Sequence, residues 1–154
     1  MSAARTIAEI VTSAAEHDFV GRAAEVGAIR DAARRLPGGP AVLAISGPGG
    51  IGKSRLLRTA LGRLGAGTDA VLIDCRDVEP TPQGMTEALA AAAGLPAGAP
   101  LPAALAALAP GGRPSVLALD TYERLGLLDA WMRRELVPAL PVTALTILCG
   151  RDGP

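Results

Sequence analysis

The sequence predicts an α/β domain of three layers, a parallel sheet with helices on both faces. Three observations predict it: short apolar runs bounded by turn residues, amphipathic segments between them, and a glycine-rich loop joining the first run to the next helix. A chain of 154 residues suits a single domain. Hydrophobic residues make up 49% but aromatics only 2%, so the core must be built from Ala, Val, Leu and Ile.

Each element has its own signal. Ile7, Ile10, Val11 and Ala14 recur at helical spacing, predicting an amphipathic helix over 3–15. Residues 1–17 are thus set apart as an N-terminal helix, and 18–154 as the main domain. A second helix carries Val26, Ile29, Ala33 and Leu36 on one face and is stopped by Pro37-Gly38-Gly39-Pro40. Residues 41–46 read as a buried parallel strand. A helix over 55–64 follows the glycine-rich loop, with Leu57, Ala60, Leu61 and Leu64 inward and Arg55, Arg58 and Arg63 toward solvent. The second strand is 70–74, residues 80–84 form a loop, and 85–93 a helix. The Ala/Pro/Gly-rich stretch 95–112 holds a short helix around 103–109. The third strand, 115–119, ends on Asp120. Leu125, Leu128 and Met132 set the inner face of another helix, which stops near Pro138, and 142–149 is the fourth strand.

Composition narrows the function. The charges balance, 15 basic against 15 acidic, which leaves no electrostatic footprint for nucleic acid or an anionic membrane. No apolar run reaches the ~18 residues of a membrane span, and the N-terminus lacks the pattern of a secretory signal. Cys75 and Cys149 lie at strand ends. With no CxxC and one histidine, buried free thiols explain them better than a disulfide or a metal site. A cytoplasmic protein is expected. Fourteen of the fifteen basic residues are arginine; the one lysine, Lys53, lies inside the glycine-rich loop.

That loop is Gly47-Pro48-Gly49-Gly50-Ile51-Gly52-Lys53-Ser54, a complete GxxxxGK[ST] motif between an apolar strand and an amphipathic helix. Its glycines let successive backbone N–H groups turn inward around a phosphate, and the following helix offers its positive end. Lys53 would reach the β- and γ-phosphates and Ser54 would ligate magnesium. Arg55, directly after the motif, is counted with these nucleotide contacts. ATP or ADP with Mg2+ is the ligand this pattern predicts.

Asp120 ends an apolar strand, where an aspartate of a P-loop protein holds the magnesium shell, the favoured reading; the alternative is a cap on the next helix. Glu123 is a general base for water or a first-turn glutamate favoured by the helix dipole. Thr121 stands directly after Asp120, where water-activating ATPases often carry a glutamate. Arg151, just past the last strand, is either a sensor of the terminal phosphate or a solvated arginine. His17 reads as a loop residue, Trp131 as packing, and the pairs Arg34-Arg35 and Arg133-Arg134 as solvated helix ends.

Together these residues resemble the STAND class of AAA-like signalling ATPases, whose bacterial members are often regulators with further sensor and DNA-binding regions. Phe19-Val20-Gly21-Arg22 looks like that class's lead-in segment, which implies that Val20, Gly21 and Arg22 lie near the adenine. Asp120-Thr121-Tyr122-Glu123-Arg124-Leu125, Trp131, Leu136-Val137-Pro138 and Cys149-Gly150-Arg151 are similar to its second-motif and sensor region. The resemblance spans about 18–151 and implies the strand order 2-3-4-1-5. It further implies that a fifth strand and a helical lid lie beyond Pro154, so that the chain is expected to be the front part of a larger protein, or a truncated product of one, with its first strand an apolar edge. Thr121 departs from the pattern and puts hydrolysis in question.

The expected role is a nucleotide-dependent switch module in a larger signalling or transcriptional regulator, hydrolysing weakly or not at all. Self-association, or contact with further C-terminal domains, is compatible with that role. Alternatives are a small-molecule P-loop kinase, a GTPase, or a degenerate domain that serves only as an interaction surface. A kinase usually needs a basic lid, and residues 95–112 carry no arginine. Guanine reading needs a second lysine, which is absent.

Overall fold

The computed structural model describes residues 22–39 and 42–151. The predicted helix over 3–15, His17 and the segment Phe19-Val20-Gly21 lie outside them. Four strands form one parallel sheet: β1 (Val42–Ser46), β2 (Asp69–Asp74), β3 (Ser115–Asp120) and β4 (Ala144–Gly150). Their order is β1-β4-β3-β2, so the last strand inserts beside the first, as the resemblance implies. β3 and β4 are buried at every residue. Central parallel strands are covered on both faces, which is why their sequences are nearly continuous apolar runs. β1 and β2 alternate instead, because each is an edge strand covered on one face.

One face packs against α1 (Ala23–Arg34) and α2 (Lys53–Gly62). Val26, Ile29, Leu56, Leu57 and Ala60 meet Val116, Ala118, Leu145, Ile147 and Cys149 there. Leu57 is fully buried, and truncating it to Ala would cost about 2–5 kcal/mol. The other face packs against α3 (Pro82–Ala92), α4 (Leu101–Leu108) and an irregular helical stretch from Tyr122 to Ala139. Two uncovered strips remain. On β1, Val42 is 36% exposed and Ala44 is open; on β2, Leu72 is 36% exposed.

Several boundaries differ from the sequence reading. α3 begins at Pro82, inside the stretch expected to be loop. Thr81 caps it, its hydroxyl accepting the Gly84 N–H at 3.0 Å, and proline suits a first turn whose N–H has no helical partner. α4 starts at Leu101, two residues earlier than expected, with Pro102 in its first turn. α1 ends at Arg34, so Leu36 packs on the core from beyond the helix. The stretch after β3 is no single α-helix: it opens as a 3₁₀ helix (Tyr122–Leu128) and contains a π-turn (Met132–Leu136). Pro138 follows that turn. Its ring crowds the carbonyl four residues back, at Arg134, and a widened turn relieves the clash. Trp131 packs half-buried on the core, as expected.

Candidate functional site

All four strands end on the same side of the sheet, and the predicted site residues gather there. Their side chains line an open cleft of about 450 Å³: Gly49, Gly50, Gly52, Lys53, Ser54 and Arg55 on one wall, Asp120, Thr121, Glu123 and Arg151 on the other. In the loop after β1, Gly50 and Gly52 have φ of 80° and 85°. This left-handed region suits glycine because it lacks a Cβ. Gly52 also sits at the N-terminus of α2 with no side chain capping it. The N-terminus of α2, beginning at Lys53, is thus left without a side-chain cap beside the cleft, the arrangement that receives a phosphate.

Lys53 curls back over the loop. Its Nζ donates to the carbonyls of Gly47 and Pro48, at 2.7 Å each. Those are neutral acceptors that phosphate oxygens could replace. The Arg22 guanidinium donates to the Ile51 carbonyl and so ties the tip of the loop to α1. A second groove, about 510 Å³, runs along the free flank of β1 between Arg22, Ile29, Leu43, Ile45 and Ile51. Lys53 lines both cavities, so they meet at the loop.

Ser54 Oγ donates to Asp120 Oδ1 at 3.0 Å, and the same oxygen accepts the Thr121 N–H at 2.9 Å. Asp120 is only 3% exposed, and a buried carboxylate needs such partners. A hydroxyl and a carboxylate in contact beside the loop are the hard oxygen donors that suit magnesium. Among the described residues Asp120 accepts one backbone N–H, that of the adjacent Thr121, and so caps no later N–H of the next helix. Thr121 has φ 59° and is the one non-glycine among the described residues with positive φ.

Glu123 and Arg151 are brought together. The Arg151 backbone N–H donates to Glu123 Oε2 at 3.2 Å, and its Nε lies 3.6 Å from Oε1. The guanidinium also lies over Gly49, where a built Cβ would stand 3.5 Å from it. The acid and the cation flagged in the sequence are thus one ion pair at the mouth of the loop.

A sequence profile of the AAA ATPase domain matches residues 18–146. The chain belongs to the AAA ATPase domain family. No curated protein matches it. The family makes this chain a nucleotide-binding P-loop module, and the cleft described above contains that module's loop. Among the described residues of this AAA domain, no helix is long and apolar enough to cross a membrane.

Sequence reasoning missed two members of the cleft. Arg58, assigned to solvent, and Arg76, not singled out, both line it. Arg76 follows β2 and is held by Asp74, its Nε bonding Oδ1 at 2.9 Å and Oδ2 at 3.1 Å. The Arg76 side chain, with the Arg58 charge beyond it, draws the Asp74 pKa down to about 2. The thiols are both buried and free. Burial, reinforced by nearby carboxylates, pushes Cys75 and Cys149 up to about 12. They are packing groups, not nucleophiles. Val20 and Gly21, expected near the adenine, lie outside the described residues.

Proposed function

We propose that this AAA domain is an ATP- and magnesium-dependent switch within a larger signalling or transcriptional regulator, and that it hydrolyses ATP slowly. In this reading the loop and Lys53 hold the phosphates, while Ser54 and Asp120 hold the magnesium. Bound there, magnesium would neutralise charge on the phosphate oxygens. The nucleoside would occupy the groove between Arg22, Ile29, Leu43 and Ile45, whose apolar walls suit a base.

One observation carries the switch. Glu123, the carboxylate suited to activate water, is engaged by Arg151, while Arg151 also rests against the phosphate loop. A γ-phosphate would compete with Glu123 for the guanidinium, so ATP and ADP would leave the end of β4 in different arrangements. A carboxylate held by a guanidinium is also not free to orient a water, and positioned base catalysis is worth about 10²–10⁴-fold. The signalling context is supported by the likeness in the second-motif and sensor region.

Limited proteolysis with ADP and with a non-hydrolysable ATP analogue, run beside steady-state phosphate release, tests the proposal. Distinct digestion patterns and turnover far below about 1 s⁻¹ are expected. Turnover near that value, abolished in Glu123→Gln, would refute slow hydrolysis. Identical digestion with both nucleotides would refute the switch.

A further inference from the structure

The cleft carries several cationic side chains beside its two carboxylates. Lys53, Arg55, Arg58, Arg76 and Arg151 line it against Asp120 and Glu123. Asp74 adds one more carboxylate behind Arg76.

Two of these cations, Arg58 and Arg76, lie away from the loop. β2 ends three strand spacings from β1, roughly 14 Å, but only one spacing, about 5 Å, from β3 and its Asp120. Arg76 therefore lies beyond the magnesium position, on the side away from the loop. Arg58 reaches the same region from α2. It lies four residues after Ser54, so both side chains share one face of the helix, one turn apart.

The two guanidinium groups are complementary. Arg76 is fixed by its Asp74 fork, which uses Nε and Nη2 and leaves Nη1 outside the pair. Arg58 has no hydrogen-bond or ion-pair partner among the described residues. A guanidinium fixed by a carboxylate, with a second exposed one in the same cleft, suits a tetrahedral oxyanion.

We propose that Arg58 and Arg76 form a second phosphate subsite, which takes a phosphate dianion alongside a nucleoside diphosphate in the loop. The inference rests on the nucleotide-site reading above. The dianion has two possible sources: phosphate released from ATP, or the phosphate ester of a second small molecule.

Calorimetric titration of inorganic phosphate into the full chain, saturated with ADP and magnesium, tests the subsite. Wild type should bind phosphate, and Arg58→Gln or Arg76→Gln should weaken it about tenfold or more, the loss expected for a charge-assisted hydrogen bond. Both side chains are exposed, so folding is not at issue. Methyl phosphate competing as well as inorganic phosphate would identify an ester; binding of inorganic phosphate alone would identify the released product. Phosphate that fails to bind the ADP complex, or that binds both variants as tightly as wild type, overturns the subsite. Failure of ADP to bind overturns the nucleotide site instead. Titration of phosphate into Lys53→Ala, with and without Arg58→Gln, then decides the subsite on its own: it stands only if the second substitution weakens binding.

Discussion

Replacing Lys53 with Ala separates a ligand-binding role from a structural one. In the free chain the ammonium makes two 2.7 Å bonds to neutral carbonyls, those of Gly47 and Pro48. Exchanging these for charged phosphate oxygens should gain on the order of 1–1.5 kcal/mol apiece, together about a hundredfold in Kd. At about one hundred times the wild-type Kd, nucleotide stabilises the fold by about 2.7 kcal/mol; with a hundredfold weaker site the same concentration supplies about 0.4 kcal/mol. A chain of 154 residues melts about 2–4 °C higher per kcal/mol. Thermal unfolding with ADP and magnesium should therefore shift by about 5–11 °C in wild type and about 1–2 °C in the variant. Without nucleotide the two should melt together, since the bonds to the released carbonyls are part-buried and exposed, so water can replace the ammonium. A variant that keeps the full shift would refute Lys53 as a phosphate ligand. One that melts several degrees lower on its own would show that the lysine holds the loop together.

Three further outcomes follow from the site and its borders. The folded Asp74 pKa, about 2, lies below the ordinary carboxylate value, so the stability its Arg76 pair contributes is complete above about pH 4 and lost as pH falls toward 2; urea unfolding of Asp74→Asn should show a shallower loss across that window. Cys75 and Cys149, both buried and raised to about 12, should resist a thiol reagent at pH 8 until the chain unfolds, and non-reducing mass analysis should show no bridge; fast labelling of the folded protein would contradict their burial. Thr121, β-branched at φ 59°, stores strain of about 1–2 kcal/mol, so Thr121→Gly should unfold at higher urea, and equal or lower stability would show that the turn is not strained.

The sequence made the sheet legible wherever burial alone decides residue type. β3 and β4 are buried at every position, so their sequences are nearly continuous apolar runs and were visible; the loop was legible because phosphate contact by backbone demands glycine at fixed spacing. The strand order came from the resemblance, since periodicity within a strand says nothing about its neighbours. What periodicity could not show was the start of α3, where proline reads as a breaker but serves as a first-turn residue. Nor could it show the irregular helix ending at Ala139, where Pro138 perturbs a turn that lies before it in the chain.

The same reasoning explains which site residues were visible. Lys53, Ser54 and Asp120 belong to local patterns, a motif and a strand end, and the fold needs only to bring two such patterns together. Arg58 and Arg76 belong to no pattern. Their placement depends on β2 pairing with β3 and on α2 crossing above them, and residues 59–75 separate the two in the chain. The turn at Thr121 connects both groups. With that residue left-handed, the chain reverses directly after Asp120, which keeps the carboxylate on Ser54 and brings Glu123 back over the cleft to Arg151. Strain at one residue thus accounts for a geometry that sequence spacing could only propose, and it is why Asp120 and Glu123 share one cleft although Thr121 and Tyr122 lie between them.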